Sequence, residues 1–234
     1  MKTNEIIMNM VIQNNGNWAK TYHQLQNKEY CVEGQLDYEG KFLTILDQEY
    51  PDYLKQKRMP SFAFAYEGNL DLLKSPTRIG VSAIKEDKNF NIFNRNINAN
   101  KNNLVLVIGS NNTIEREIIN NGYKVICVLD KPINELEPQL RQNIIKNGGL
   151  IITEFVSHQC EKEDELRVLQ LITHVQSELL VVSIMSHSKG IYQVNQALEQ
   201  SQRVLVFPTG MNNKLFNNEL INEGANIFVN ADQF

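Results

Sequence analysis

GLIITEF (Gly149 to Phe155), ELLVVSI (Glu178 to Ile184), SHSKGIYQVNQALEQSQ (Ser186 to Gln202) and RVLVFPTG (Arg203 to Gly210) decide how this chain folds. With the helical run between the first two pieces, they read as strand, helix, strand, helix, strand. The apolar runs are continuous rather than alternating, which predicts strands covered on both faces: a mostly parallel sheet with crossover helices. In such sheets ligands sit beyond the carboxyl ends of the strands. Here those ends carry Ser186, Ser188, Lys189 and Gly190 after one strand and Pro208, Thr209 and Gly210 after the next.

The same alternation extends upstream. RIGVSA (Arg78 to Ala83) reads as the first strand, followed by a polar, Asn-rich stretch from Lys85 to Asn103. NLVLVIGSNNTIEREII gives a strand, a tight turn at Gly109, Ser110, Asn111 and Asn112, and a helix capped by Asn112 or Thr113. A helix start after a glycine-containing turn offers unpaired N–H groups to an anion, and it equally suits a purely structural capped turn. YKVICVLDK is the next buried strand, and the helix after it is closed by Gly148-Gly149. The closing segment, NNELINEGANIFVN, predicts a helical turn, Gly224 and a last strand, with no separate C-terminal domain.

Ahead of this block, residues 3 to 35 predict two short helices. Ile6, Ile7, Met10 and Val11 form one apolar stripe, Asn15-Gly16 breaks it, and a second begins near Trp18. They define a small helical N-terminal module, residues 1–40, before a main domain at 41–234. Between them FAFAY reads as a short edge strand beside the main sheet, with Pro60 placed where a missing N–H costs nothing.

At 234 residues the chain suffices for one large α/β domain with an appendage. Its 23 Lys and Arg against 27 Asp and Glu exclude a generally basic coat while leaving room for a local basic groove. No apolar run reaches the roughly 20 residues that cross a bilayer, so a cytoplasmic location without membrane attachment is expected. Cys31, Cys127 and Cys160 are far apart and lack a CxxC spacing, and the four histidines lack metal-ligand spacing. No disulfide, metal or cofactor is therefore expected.

In order along the chain, Tyr50-Pro51, Leu54, Pro60 and EGNLDLL, then GGLIITEF, ELLVVSI, SKG, ALEQSQRVLVFPTG and ELINEGAN, resemble the motifs of the DprA/Smf DNA-processing family. The resemblance implies an extended Rossmann-like domain, a homodimer, and single-stranded DNA as ligand, delivered to the recombinase RecA. It further implies a pocket made by Ser82, Lys85, Gly109, Ser110, Asn111, Asn112, Arg167, Ser188, Lys189, Gly190, Thr209 and Gly210, and no winged-helix domain at the C-terminus. Against the family's pattern, its G-[ST]-R reads Val81-Ser82-Ala83 here, and its F-x-x-RNR aligns with Leu166 to Gln170, where Arg167 is out of register. Fewer arginines predict weaker phosphate binding.

Further cations expected near the pocket are Arg95, Lys101 and Lys214, with Tyr192 and Phe216 as stacking partners. The function expected is non-catalytic binding of single-stranded DNA in uptake or recombination. Two alternatives remain: a small-nucleotide-binding or phosphoribohydrolase-like protein of the LOG type, with Glu154 as the one carboxylate at a strand end, and a degenerate regulatory relative acting through protein contacts. Ser186 and His187 are adjacent and GxSxG is absent, so a catalytic triad is not expected.

Overall fold

The protein is described from a computed structural model, over residues 2–30, 35–36, 38–84, 88–98, 104–110, 112–158, 161, 165–210 and 214–234. Among the described residues nine strands make one sheet: β1 (Phe42–Thr44), β2 (Ala63–Gly68), β3 (Arg78–Ser82), β4 (Val105–Ile108), β5 (Val125–Leu129), β6 (Leu150–Thr153), β7 (Glu178–Val181), β8 (Arg203–Val206) and β9 (Asn226–Ile227). Their spatial order is β1-β2-β6-β5-β4-β3-β7-β8-β9. From β6 to β9 every pairing is parallel, and the lead-in strands β1 and β2 are antiparallel to their neighbours. The expected α/β, mostly parallel, Rossmann-like sheet is therefore what the chain forms.

Continuous apolar runs arise because each strand feeds two cores. Leu106 and Ile108 of β4 and Cys127 of β5 face one core, while Val105, Val107, Ile126 and Val128 face the other. The first core is covered by α4 (Lys88–Asn98), α5 (Thr113–Asn120) and α6 (Pro138–Lys146). Across the sheet, α7 (Glu165–Val175) covers the second core, while α8 (Lys189–Glu199) and α9 (Asn217–Asn222) cover a third formed by β7 and β8. Helix α4 corrects the sequence reading, which left this stretch merely polar and Asn-rich. Phe90, Phe93 and Ile97, spaced i, i+3, i+7, are all buried, and each such burial stabilises by about 1.5–3 kcal/mol, enough to override asparagine's weak helix propensity.

At the N-terminus, α1 (Thr3–Gln13) and α2 (Trp18–Asn27) pack onto the lead-in strands: Ile7, Met8 and Val11 lie against Ala63 and Ala65, and Trp18 stacks on Phe62. Trp18 Nε1 also donates to the Pro60 carbonyl at 2.7 Å. No described helix is long and apolar enough to cross a membrane.

The connection that matters most leaves β6, runs through α7 and returns beside β3, the first parallel strand. Here the winding direction reverses, with β3 paired to β4 on one side and β7 on the other. Two buried features hold α7 over this point. Gly80 of β3 leaves room for the Gln176 carboxamide, whose Oε1 would lie 1.7 Å from any Cβ there. Arg167 of α7 makes a two-pronged ion pair with Glu154 just after β6, Nε to Oε2 and Nη2 to Oε1 both at 2.7 Å, with side chains only 6% and 5% exposed.

Breaking that pair leaves a buried charge without its partner. Arg167→Met should destabilise the fold by about 3–5 kcal/mol in urea denaturation, and Glu154→Gln/Arg167→Met should recover most of the loss. A single variant as stable as the native chain would show that the pair fastens nothing. A second expectation concerns His174, on α7. Burial, together with the Arg167 and Lys57 charges, holds its imidazole down at about 3, below its ordinary 6.5. Between those values the unfolded chain binds a proton that the native state does not. The contribution is thus complete above pH 6.5 and is lost on acidification, at up to about 1.4 kcal/mol per pH unit. Denaturation midpoints across that range should fall less steeply in His174→Gln.

Candidate functional site

Where β3 and β7 separate beyond Ser82 and Val181, a crevice of about 440 Å³ opens at the carboxyl edge of the sheet. Its back wall is Val168, Leu169 and Ile172 of α7, with Val81 of β3, Ile84 after it and Ile184 after β7. Hydrogen bonds fix the two strand ends to each other: Ile84 N–H donates to Ser183 Oγ at 3.1 Å and Val182 N–H to the Ser82 carbonyl at 2.9 Å. Asn217, fully buried at the start of α9, donates to the carbonyls of Val182 and Phe207 and accepts from Ile184 N–H. It therefore ties the ends of β7 and β8 together. Sequence reasoning missed it, since one asparagine among several near Asn217 gives no signal of burial.

Two helix starts border the crevice, and they differ. At α5, Asn112 caps the helix by accepting from Glu115 N–H at 2.8 Å, and the Glu115 carboxylate turns back to accept from Asn112 N–H at 3.0 Å and Gly109 N–H at 3.1 Å. The chain's own carboxylate thus occupies the loop where an anion was expected. At α8, no described side chain caps the first turn, and Ser188 Oγ donates to the Met185 carbonyl at 2.8 Å instead. That end keeps the positive end of its macrodipole towards the crevice. Gly190 is required there: a Cβ would stand 2.9 Å from Ser82 Oγ and from Ile184.

Charge in the crevice runs against a simple phosphate pocket. Glu115, Asp130 and Glu165 line it, while Lys189 is the one cation among the described lining residues and is itself paired with Glu165. Among the described residues no three His, Cys, Asp or Glu side chains cluster closely enough to hold a metal ion. Cys127, on the face of the sheet away from α7, is fully buried with its thiol pushed far up by burial.

Of the residues expected at the site, Ser82, Gly109, Asn112, Ser188, Lys189 and Gly190 line this crevice together. Ser110 is buried beside it, at 2% exposure. Arg167 lies elsewhere, in its ion pair with Glu154. Thr209 is held by reciprocal hydrogen bonds with Asn218 at 2.9 Å, and neither it nor Gly210 reaches the lining. Lys85 and Asn111 fall outside the described residues, as does Lys101. Arg95 and Lys214 are exposed, Phe216 packs against the α8–α9 core, and Tyr192 faces a different groove.

The model of the family described as DNA recombination-mediator protein A matches residues 41–234. Among solved structures, DNA processing protein A (DprA) from Streptococcus pneumoniae is similar at a TM-score of 0.73 and 22% identity, over 92% of this chain and 78% of that one. DNA processing protein A from Helicobacter pylori, described with a unique single-stranded DNA binding mode, is similar at a TM-score of 0.72 and 18% identity, over 84% of this chain and 94% of that one. No curated protein sequence matches the chain significantly.

The carboxylate closing the α5 loop gives a direct test. Glu115→Ala removes both acceptors and should cost about 1–2 kcal/mol of stability in urea denaturation. Glu115→Gln keeps one acceptor oxygen and should fall between. Equal stability of all three proteins would mean the loop does not depend on this carboxylate.

Proposed function

We infer that this chain, which belongs to the DNA recombination-mediator protein A family, binds single-stranded DNA at the switch-point crevice and works by holding it rather than by catalysis. The observation that carries the reading is the crevice itself, bounded by the carboxyl ends of β3 and β7, with the uncapped start of α8 and Lys189 at its edge. Backbone N–H groups and one lysine there suit a phosphodiester. The single-stranded DNA binding of the Helicobacter pylori protein, which shares this fold, supports it. With the family come the finer parts of the proposal: a cytoplasmic homodimer that passes its strand to RecA during DNA uptake or recombination.

A second reading has its own support. The three carboxylates lining a 440 Å³ space suit the hydroxyl and amino donors of a small nucleoside better than a row of phosphates. One titration separates the two.

Labelled oligo-dT followed by fluorescence anisotropy at two salt concentrations should bind with a shallow salt dependence. A slope near −0.7 in log K against log salt is expected for each phosphate neutralised, so one or two contacts predict about −0.7 to −1.4. Lys189→Ala should weaken binding about tenfold and Glu115→Ala, which frees two N–H groups and removes a negative charge, should strengthen it. Absence of binding at micromolar protein, with AMP binding at the crevice instead, would replace the first reading by the second.

A further inference from the structure

Behind the crevice, on the outer side of α7 and α8, lies a second cavity of about 470 Å³. Gln170 and His174 line it from α7, Tyr192 and Gln196 from α8, and the turn at Arg58-Met59 closes its rim. None of these residues lines the crevice.

Its lining is chiefly polar. His174 is only 2% exposed, yet its ring nitrogens have no hydrogen-bond partner among the described residues. Because the imidazole stays neutral, it offers the cavity one donor and one acceptor. Whatever fills the cavity, water or a ligand, can therefore meet the ring nitrogens. Gln170 accepts from Arg167 Nη1 at 2.7 Å, so its oxygen is fixed and its amide N–H groups remain available. Arg167 Nη1 also donates to the Met59 carbonyl at 2.9 Å, holding the rim in place. Tyr192 presents a half-buried ring whose hydroxyl has no partner among the described residues.

Charge is arranged around this polar interior. Arg58 is exposed at the rim without an ion pair among the described residues, and Lys57 beside it is half-buried, likewise without one. The facing carboxylate, Glu199, accepts from Gln196 Nε2 at 2.9 Å on the opposite, α8 side. An aromatic face, mixed donors and acceptors, and a free guanidinium at the mouth together describe one class of ligand.

We propose that the α7–α8 groove is a second nucleotide-binding site, taking one nucleotide with its base against Tyr192 and His174 and its phosphate at Arg58. Ring stacking supplies affinity without sequence preference, the carboxamides and imidazole meet the base edge, and Arg58 meets the phosphate. Where the nucleotide is a unit of a bound strand, the inference rests on the single-stranded DNA reading above; where it is free, it stands alone.

Histidine side-chain proton–nitrogen correlation spectra of the full chain provide the test, with dAMP, dTMP and inorganic phosphate as probes. Either nucleotide should move the His174 ring resonances, and inorganic phosphate should not reproduce the shift. Arg58→Ala and Tyr192→Leu should each weaken the nucleotide titration about tenfold, while Lys20→Ala, an exposed cation on α2, leaves it unchanged. Resonances unmoved by millimolar nucleotide, or moved equally by phosphate alone, overturn the proposal. Oligo-dT separates the sources. If it binds and moves His174, and Arg58→Ala/Tyr192→Leu weakens it, the nucleotide belongs to a strand. If oligo-dT fails to bind while mononucleotides still move His174, the groove stands and the DNA reading falls. If oligo-dT binds while neither it nor mononucleotide moves His174, the groove falls and the DNA reading stands.

Discussion

Two charges withdrawn from water, Glu154 after β6 and Arg167 near the start of α7, fix the element on which both cavities depend. Burying such a pair is costly unless every donor and acceptor finds a partner, and here nearly all do. Both carboxylate oxygens are met by the guanidinium, whose remaining N–H groups reach the Met59 carbonyl and the Gln170 carboxamide. The consequence is positional. The end of β6, the lead-in turn at Met59 and the first turns of α7 are locked into one arrangement, so α7 cannot shift without stranding a charge. Its Val168 and Ile172 face the crevice and its Gln170 and His174 face the groove.

In the crevice, architecture and lining charge are set separately. A parallel sheet that reverses direction at β3 creates a cleft by topology alone. What lines it is a separate matter. With Val168 and Leu169 on the back wall and the Glu115 carboxylate on the N–H groups of Gly109 and Asn112, one helix start is already satisfied from within. The α8 start is not. An anion entering this space therefore meets an asymmetric site: donors from α8 and Lys189 at one end, the latter already paired with Glu165, and the Glu115 carboxylate at the α5 start.

Much of this was legible in the residues. Continuous apolar runs such as Leu179 to Ile184 reported strands covered on both faces, and FAFAY with Pro60 ahead of it reported the lead-in strand but placed it at the edge, a position β1 takes instead because it pairs with the outer side of β2. Helix α4 was not legible because asparagines surround its three buried apolar residues and mask their spacing. The role of Arg167 was not legible either. A lone arginine near a helix start looks the same in sequence whether it faces a ligand or a carboxylate, and only the fold brings Glu154, 13 positions away, against it. Likewise the polar groove depends on Arg58, His174 and Tyr192, which three separate elements bring together.

Helix α8 connects the two cavities, and its periodicity gives the connection a direction. Lys189, Tyr192, Gln196 and Glu199 recur at i, i+3, i+7 and i+10, spacings that keep them on one face of a helix. Lys189 stands at the crevice, whereas the other three line the groove. Since a helix rises 1.5 Å per residue, about 4–5 Å along the axis separates the lysine from the tyrosine. A polynucleotide lying along this face would therefore meet a cation at the crevice and a stacking ring one turn later, with Arg58 across the groove. That order suits a chain of alternating phosphates and bases, whereas a ligand confined to the crevice would gain nothing from Tyr192 or Arg58. The stripe on α8 thus makes a continuous strand the ligand that could use both cavities at once.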